Sequence, residues 1–456
     1  MTSDPIFAFA DHVVGTEIDG IPDAAIAAAK VFILDTLGVG LNGTTGPMAQ
    51  QLVAKMSSMG MGQDARVWGT GERMPAAHAA LCNAYKVHCQ EFDCIHEGAV
   101  AHVMTIVLPV ALAVAERYRD VSGSRLIEAV VTGVDVAALL GVSAQSGLRF
   151  FRPGTAGAFG GVAAAGRILG LSREQLVEAF SLVYGQLCGT MQAHSEGSGL
   201  LAMQMGFNAR NAVTAADLAT AGFTGPQNIL TGDFGYFRLF EDGGEPEAAA
   251  ARLGRDWLIT EVSHKPFPSG RATHGILDGC LSLQREHSFA ASDVTGIVLC
   301  VPPLIQHLVG RPSLTDMTTS YARLCARYVL ACSLHGDGLQ MSDFTPEAYR
   351  DQSRQRLANN TRIKVQDHGD PNSLVPIDIE IDLKNGGRLH RRITNVYGSP
   401  AKPMTREAHL AKFRRNCSGA QYRLSLQKMD QTIEICDQLD ALESVDQIFR
   451  AIIFYV

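Results

Sequence analysis

Residues 88–116 read HCQEFDCIHEGAVAHVMTIVLPVALAVAE. The first half of this stretch holds three histidines, His88, His96 and His102, and three carboxylates, Glu91, Asp93 and Glu97. A largely apolar run from Val103 to Ala115 follows, interrupted only by Thr105 and Pro109, and reads as a buried helix. Titratable groups at the mouth of a buried helix are held against a rigid scaffold, as acid–base chemistry requires. The same residues are also compatible with a polar loop that does no more than cap a core helix.

Outward from this stretch, the preceding and following segments are helical. Ile21 to about Leu41 gives an amphipathic helix begun by Pro22 and Asp23, and Pro47 to Met59 a second. A third is entered through Pro75, and Ser124 to Gln145 is helical again. A Pro153–Gly154 turn starts a helix in which Gly157, Gly160, Gly161 and Ala165 recur at three- and four-residue spacing. That spacing predicts very close helix contact, because little side chain holds the backbones apart. Ser172 supplies an N-cap, and a further helix from about Asn208 to Ala221 ends at Gly222. Up to about residue 260 no segment alternates as a strand would, so this half reads as a helical bundle.

The texture changes after Trp257. Val294–Pro302, Thr361–Gln366 and Pro376–Leu383 alternate apolar and polar residues with β-branched enrichment, and a hairpin is predicted across Lys384–Gly387. Helices are expected over Arg271–Gln284 and Ser320–Leu334, which makes this part a smaller α+β domain. Helices return from Thr405, with a last one starting at Ser444 and Val445. If they pack back on the bundle, the second domain is an insertion.

At 456 residues, two or three domains are expected. The chain is 46% hydrophobic and 19% charged with a net charge of −7, and its lack of basic runs argues against nucleic acid or an anionic membrane as partner. No run of eighteen or more apolar residues marks a membrane span. The start, MTSDPIFAFADHVV, has neither a basic region nor a small-residue cleavage site and is read as no export signal. Ten scattered cysteines without a CxxC pair fit a cytoplasmic location better than a disulfide framework or a zinc site.

Separated stretches resemble one family, the MmgE/PrpD proteins. They are NAYKVHCQEFDCIHEGAVAHV, RPGTAGAFGGVAAAGRILGLSREQLVEAFSL, GFNARNAVTAADLATAGFTGPQNILTGDFGY and KPFPSGRATHGILDG, followed by YGSPAKPMTREAHLAKF. They occur in the family's order over nearly the whole chain. The fold implied is mainly α: a large helical domain built from both chain ends (1–265 and 400–456) and a smaller α+β lid domain (266–399). The resemblance also implies an active site in the cleft between them, a homodimer, and action on small di- or polycarboxylates without a redox cofactor.

The chemistry such enzymes share is proton transfer at a carbon next to a carboxylate, which needs a base near neutral pKa and cations for the developing charge. His102 matches the family's histidine after its acidic motif and is the candidate base. Asp93 matches an acidic position of that motif and would orient a histidine or a ligand hydroxyl. Lys265 matches the lysine of the family's KPYP segment, as electrostatic clamp or second proton donor. Arg271 offers a fork for a substrate carboxylate, His274 lies beside it, and Arg152 stands where a helix N-terminus adds to anion binding. His96, His88, Tyr184, Gln145, Arg149, His194 and Ser269 are weaker candidates for the lining. The histidine spacings match no closed zinc pattern, so no metal is expected.

The chain also departs from the family. Asp93-Cys94-Ile95 stands where dehydratase and decarboxylase members tend to carry DDT, Arg152 where several carry a histidine, and the apolar run LLAMQM where they carry a lysine. Loss of groups that would protonate a leaving hydroxyl favours a reaction that moves only a proton. The expectation is an epimerase or isomerase of the iminodisuccinate kind, with His102 and Lys265 as opposed proton carriers. The alternative is a lyase of the 2-methylcitrate dehydratase or cis-aconitate decarboxylase type, and a third reading is a non-catalytic anion-binding relative.

Overall fold

The chain is described from a computed structural model covering residues 3–336, 338–367 and 369–453. Its centre is the apolar run singled out above. It forms helix α3 (Met104–Tyr118), buried without interruption from Met104 to Glu116. Helices α1 (Asp23–Asn42), α2 (Ala76–His88), α4 (Gly123–Val142), α5 (Arg152–Leu169) and α6 (Leu200–Thr220) surround it. A helix with no polar face requires such a sheath, since each Val, Leu or Ile side chain fully buried stabilises by about 1.5–3 kcal/mol.

The small-residue stripe does what its spacing predicts. A Cβ on Gly160 would stand 2.5 Å from the Gly133 carbonyl oxygen, so α4 and α5 touch backbone to backbone. A Cβ on Gly157 or Gly161 would meet Ile106 of α3 at 2.8 or 2.9 Å. The apolar LLAMQM segment belongs to α6, which begins eight residues before the predicted start at Asn208. The cap at Ser172 is a full capping box closed by Gln175.

Two short strand pairs escaped the sequence reading because two-residue strands have no period to detect. Strand β1 (Ala65–Arg66) pairs with β2 (Arg73–Met74), and β3 (Ile95–His96) pairs with β4 (Val262–Ser263). The second pair ties the titratable loop to the segment just before Lys265. The α+β domain has a four-stranded sheet of β5 (Val294–Val301), β6 (Thr361–Val365), β7 (Ile377–Leu383) and β8 (Arg388–Ile393) in the order β6-β5-β7-β8. Only β5 and β6 run parallel. Helix α7 (His274–His287) lies on the sheet, where a Cβ on Gly279 would come within 2.3 Å of Ile379. The helix expected over Ser320–Leu334 is two pieces, Thr319–Arg323 and Ala326–His335.

The chain end returns to the helical domain. Helices α8 (Arg406–Gly419) and α9 (Leu426–Asp437) pack on α1. Gly38 of α1 admits the Phe413 ring, which a Cβ would meet at 2.8 Å. Beside it, Lys412 Nζ lies 2.8 Å from Asp35 Oδ1, each side chain 1% exposed, and donates to the Phe92 carbonyl at 3.0 Å. Contrary to the reading of no membrane-length segment, Asp23–Thr45 is long and apolar enough to cross one, with a mean hydropathy of 1.8. Its apolar surface is covered by α8 and the core helices.

Lys412→Met leaves the Asp35 carboxylate buried and unpaired, and is expected to destabilise the protein by about 3–5 kcal/mol. The double change Asp35→Leu with Lys412→Met should recover most of that loss. Urea unfolding of the two variants checks both outcomes.

Candidate active site

Helix α2 ends at His88, and the chain turns through Glu91 in the left-handed region at φ 50°. A non-glycine residue is uncommon there. Asp93, next in the turn, is the hub. Its Oδ2 accepts from Thr105 Oγ1 at 2.5 Å and lies 2.9 Å from His88 Nδ1. His102 Nδ1 approaches the same oxygen to 3.0 Å, within ion-pair distance but without the alignment of a hydrogen bond. The two imidazoles stand edge to face with centroids 4.7 Å apart.

From the other loop, Lys265 Nζ donates to Glu91 Oε2 at 2.9 Å and lies 3.6 Å from Asp93 Oδ1. Arg271 pairs with Glu97 at 2.8 Å and donates to the carbonyls of His264 and Tyr397. The acidic–histidine loop and the KPFPSGR loop therefore face one another. Between them lies a cavity of about 60 Å³ whose lining includes His88, Glu91, Glu97, His102, His194 and Arg271. Its remaining walls are largely apolar, with Ile95, Val100, Phe151 and Leu201 among them.

At His88, His102 and Asp93 burial opposes charge, and the neighbours decide the outcome. At His88 burial is overcome by the Asp93 and Glu91 carboxylates, which raise its pKa. At His102 burial prevails, helped by Lys265 and only partly offset by Asp93, and the pKa falls. At Asp93 the neighbouring His102, His88 and Lys265 outweigh burial and hold the carboxyl well below its usual range. Two adjacent imidazoles are thus pushed apart, His88 toward the charged form and His102 toward the neutral one.

Of the residues expected at the site, His102, Asp93, Lys265 and Arg271 come together, but in different roles. Lys265 is fully buried behind Glu91 and Asp93 and is absent from the cavity lining. Arg152 does not face the cavity either. It is fully buried and holds Glu241 at 2.7 Å, with the Ala99 and Ser146 carbonyls taking its other donors. His96 Nδ1 accepts from the Ala99 amide and its Nε2 lies 3.4 Å from Glu261, which makes it a brace of its own turn. His274 is fully buried against the Ser269 carbonyl at 3.2 Å, and burial pushes its pKa well down. Tyr184 donates to the Phe234 carbonyl and takes no part in the lining.

Four residues matter that the sequence reading ranked low or passed over. His88 and Glu91 stood in the quoted stretch, and their proximity to Asp93 was the available signal. Arg311 and Arg323 carried none, since each sits in an unremarkable segment far along the chain. Arg323 Nε and Arg311 Nη1 are buried without a hydrogen-bond partner, and among the described residues neither side chain has a carboxylate within ion-pair distance. Burial lowers the Arg323 pKa to about 10.

Ligand-type atoms of His88, Asp93 and His102 lie within 4.8 Å of one another, as do those of Asp35, His264 and His409. In both clusters a lysine already supplies the cation, Lys265 near Asp93 and Lys412 on Asp35. In the first, both Nδ1 atoms converge on a single Asp93 oxygen, a geometry suited to sharing protons.

Because folding raises the His88 pKa, its contribution to stability is whole below about pH 6.5 and is lost as pH climbs through the higher folded value. Asp93 has the opposite sign: its contribution is present above about pH 3.9 and is lost as pH falls toward the depressed folded value. Asp93→Asn should lower the His88 titration point and flatten the stability change between pH 6 and 9. Histidine NMR titration and denaturant unfolding at the two pH values read these effects.

The MmgE/PrpD N-terminal domain matches residues 8–249 and the MmgE/PrpD C-terminal domain residues 267–439. The chain is similar to cis-aconitate decarboxylase of Homo sapiens, 28% identical over 451 residues that cover 96% of this chain and 92% of the relative. The Mus musculus enzyme is 28% identical over 461 residues, covering 97% and 92%. A cis-aconitate decarboxylase-like protein of Aspergillus oryzae is 25% identical over 438 residues, covering 91% and 90%. With both domain models matched in order over nearly its whole length, the chain belongs to the MmgE/PrpD family.

Proposed function

We propose that the protein is a lyase of the decarboxylase kind, acting on a small unsaturated polycarboxylate through acid–base chemistry of its own side chains. The observation that supports this most is the pair His88 and His102, which share one carboxylate, differ in proton affinity and line the same cavity. Neighbouring groups whose pKa values are driven apart are the usual mark of an acid and a base.

Cis-aconitate, named for the relatives, illustrates the step. The bond between its CH2 carbon and the attached carboxylate breaks and carbon dioxide leaves. The electron pair shifts through the allyl system, and the far alkene carbon takes one proton. The His88 imidazolium supplies that proton, and the neutral ring it leaves is recharged by one proton from solvent, which neutral His102, across Asp93, can relay by taking one proton as it gives up another. Charge building on the remaining carboxylates is met by Arg311 and Arg323, whose guanidiniums hold no protein carboxylate among the described residues. The apolar walls favour this step as well, because a localised carboxylate is solvated poorly there compared with a dispersed anion.

Inversion at carbon asks for a donor and an acceptor on opposite faces. His88 and His102 are hinged on a single oxygen, and Lys265, the expected opposite partner of His102, lies behind the carboxylates. This supports one-sided chemistry, and the relatives' names point the same way. The epimerase expectation gives way to its lyase alternative.

Cis-aconitate incubated in deuterated water should lose carbon dioxide and leave one deuterium on the product, followed by NMR. His88→Ala and His102→Ala should each lower kcat by roughly 10²–10⁴. Exchange with inversion, or loss or gain of water with no carbon dioxide from any unsaturated polycarboxylate, refutes the decarboxylase reading.

A further inference from the structure

One wall of the cavity comes from neither of the two loops already described. His194, on the short helix Gln192–Glu196, lines the cavity there. Arg311 reaches it from the α+β domain, just beyond the helix Pro303–Val309. Arg311 Nη2 donates to the His194 carbonyl at 2.9 Å and lies 3.2 Å from His194 Nδ1.

A guanidinium has only N–H groups to offer, so an imidazole nitrogen facing it accepts. The proton of the neutral ring is therefore on Nε2. Burial, and after it the Arg311 charge, lower the His194 pKa to about 3, which keeps the ring neutral. Among the described residues no group accepts from Nε2. The guanidinium behind the ring is equally unfinished: Nη1 is buried with no partner, whereas Lys265, Arg271 and Arg152 each hold a protein carboxylate. This wall thus presents one fixed N–H donor, backed by a guanidinium that stacks on the Tyr321 ring but holds no protein carboxylate.

We propose that His194 Nε2–H binds a carboxylate of the substrate at this wall, and that Arg311 is the positioning residue that sets its tautomer and supplies the missing counter-charge. The inference rests on the polycarboxylate reading and adds to it where one of the carboxylates sits. It makes His194 a neutral donor and never a proton carrier, which separates its role from those of His88 and His102.

Nitrogen-15 NMR of the histidine-labelled full chain, with His194→Gln used for assignment, reads the tautomer directly. The expected result at pH 7 is a neutral His194 protonated on Nε2, with loss of that single tautomer and a higher titration point in Arg311→Met. A charged ring, or a proton on Nδ1, in the wild type overturns the proposal. Calorimetry with tricarballylate, succinate and acetate supplies the second arm. His194→Gln and Arg311→Met should weaken tricarballylate roughly tenfold or more, with Arg311→Lys recovering only part. Wild type that binds tricarballylate no better than either variant does overturns the His194 assignment alone. Wild type that binds none of the three probes overturns the polycarboxylate reading along with it.

Discussion

The site depends on keeping the Asp93 carboxylate ionised although it is 1% exposed. A lone carboxylate taken out of water would neutralise by binding a proton. Here Thr105, His88, His102 and Lys265 all converge on it, and together they make the anion the stable form. Once the anion is fixed, the rest follows. It holds a proton on His88, orients His102 at the cavity edge, and gives Lys265 a reason to be fully buried. Remove the charge and His102 loses its carboxylate, while His88 and Lys265 are left with Glu91 alone.

Bringing those partners together is a problem of chain routing. His88 and His102 come from one loop, but Lys265 comes from a segment more than 150 residues later. The bridge is the two-residue pair of β3 and β4, with Ile95 opposite Ser263 and His96 opposite Val262. Arg271 adds a second clasp through Glu97. The helices of the bundle also stand close, Gly133 against Gly160 and Gly161 against Ile106.

Helical periodicity, the caps and the alternation of β5, β6 and β7 were legible in the sequence because each is a local signal repeated over several residues. His102, Asp93 and Lys265 were legible through the family motifs that contain them. The orientation of a long side chain is not local, and there the reading failed. Arg152 looked like an anion ligand at a helix start, yet Glu241, 89 residues on, takes its guanidinium inside the protein. His274 and Tyr184 were turned away in the same manner, by the Ser269 and Phe234 carbonyls. Conversely, Arg311 and Arg323 have no surrounding motif, and only burial without a carboxylate singles them out.

That last contrast also bears on how the charges divide between protein and ligand. Lys265, Arg271 and Arg152 are neutralised by Glu91, Glu97 and Glu241, so they shape the site while leaving little net charge for a ligand. A buried ion pair is weak evidence for stability but strong evidence that geometry is fixed, since breaking it leaves an unpaired charge. The unpaired guanidiniums come from the α+β domain, and the proton-holding histidines from the helical one. Under the proposed function, these two sets of groups on opposite domains are where a carboxylate ligand would be held and where it would react. Arg311 and Arg323 are left without a protein carboxylate, whereas His88 and His102 share one, so the protein's own charges balance on the helical side and stay open on the other.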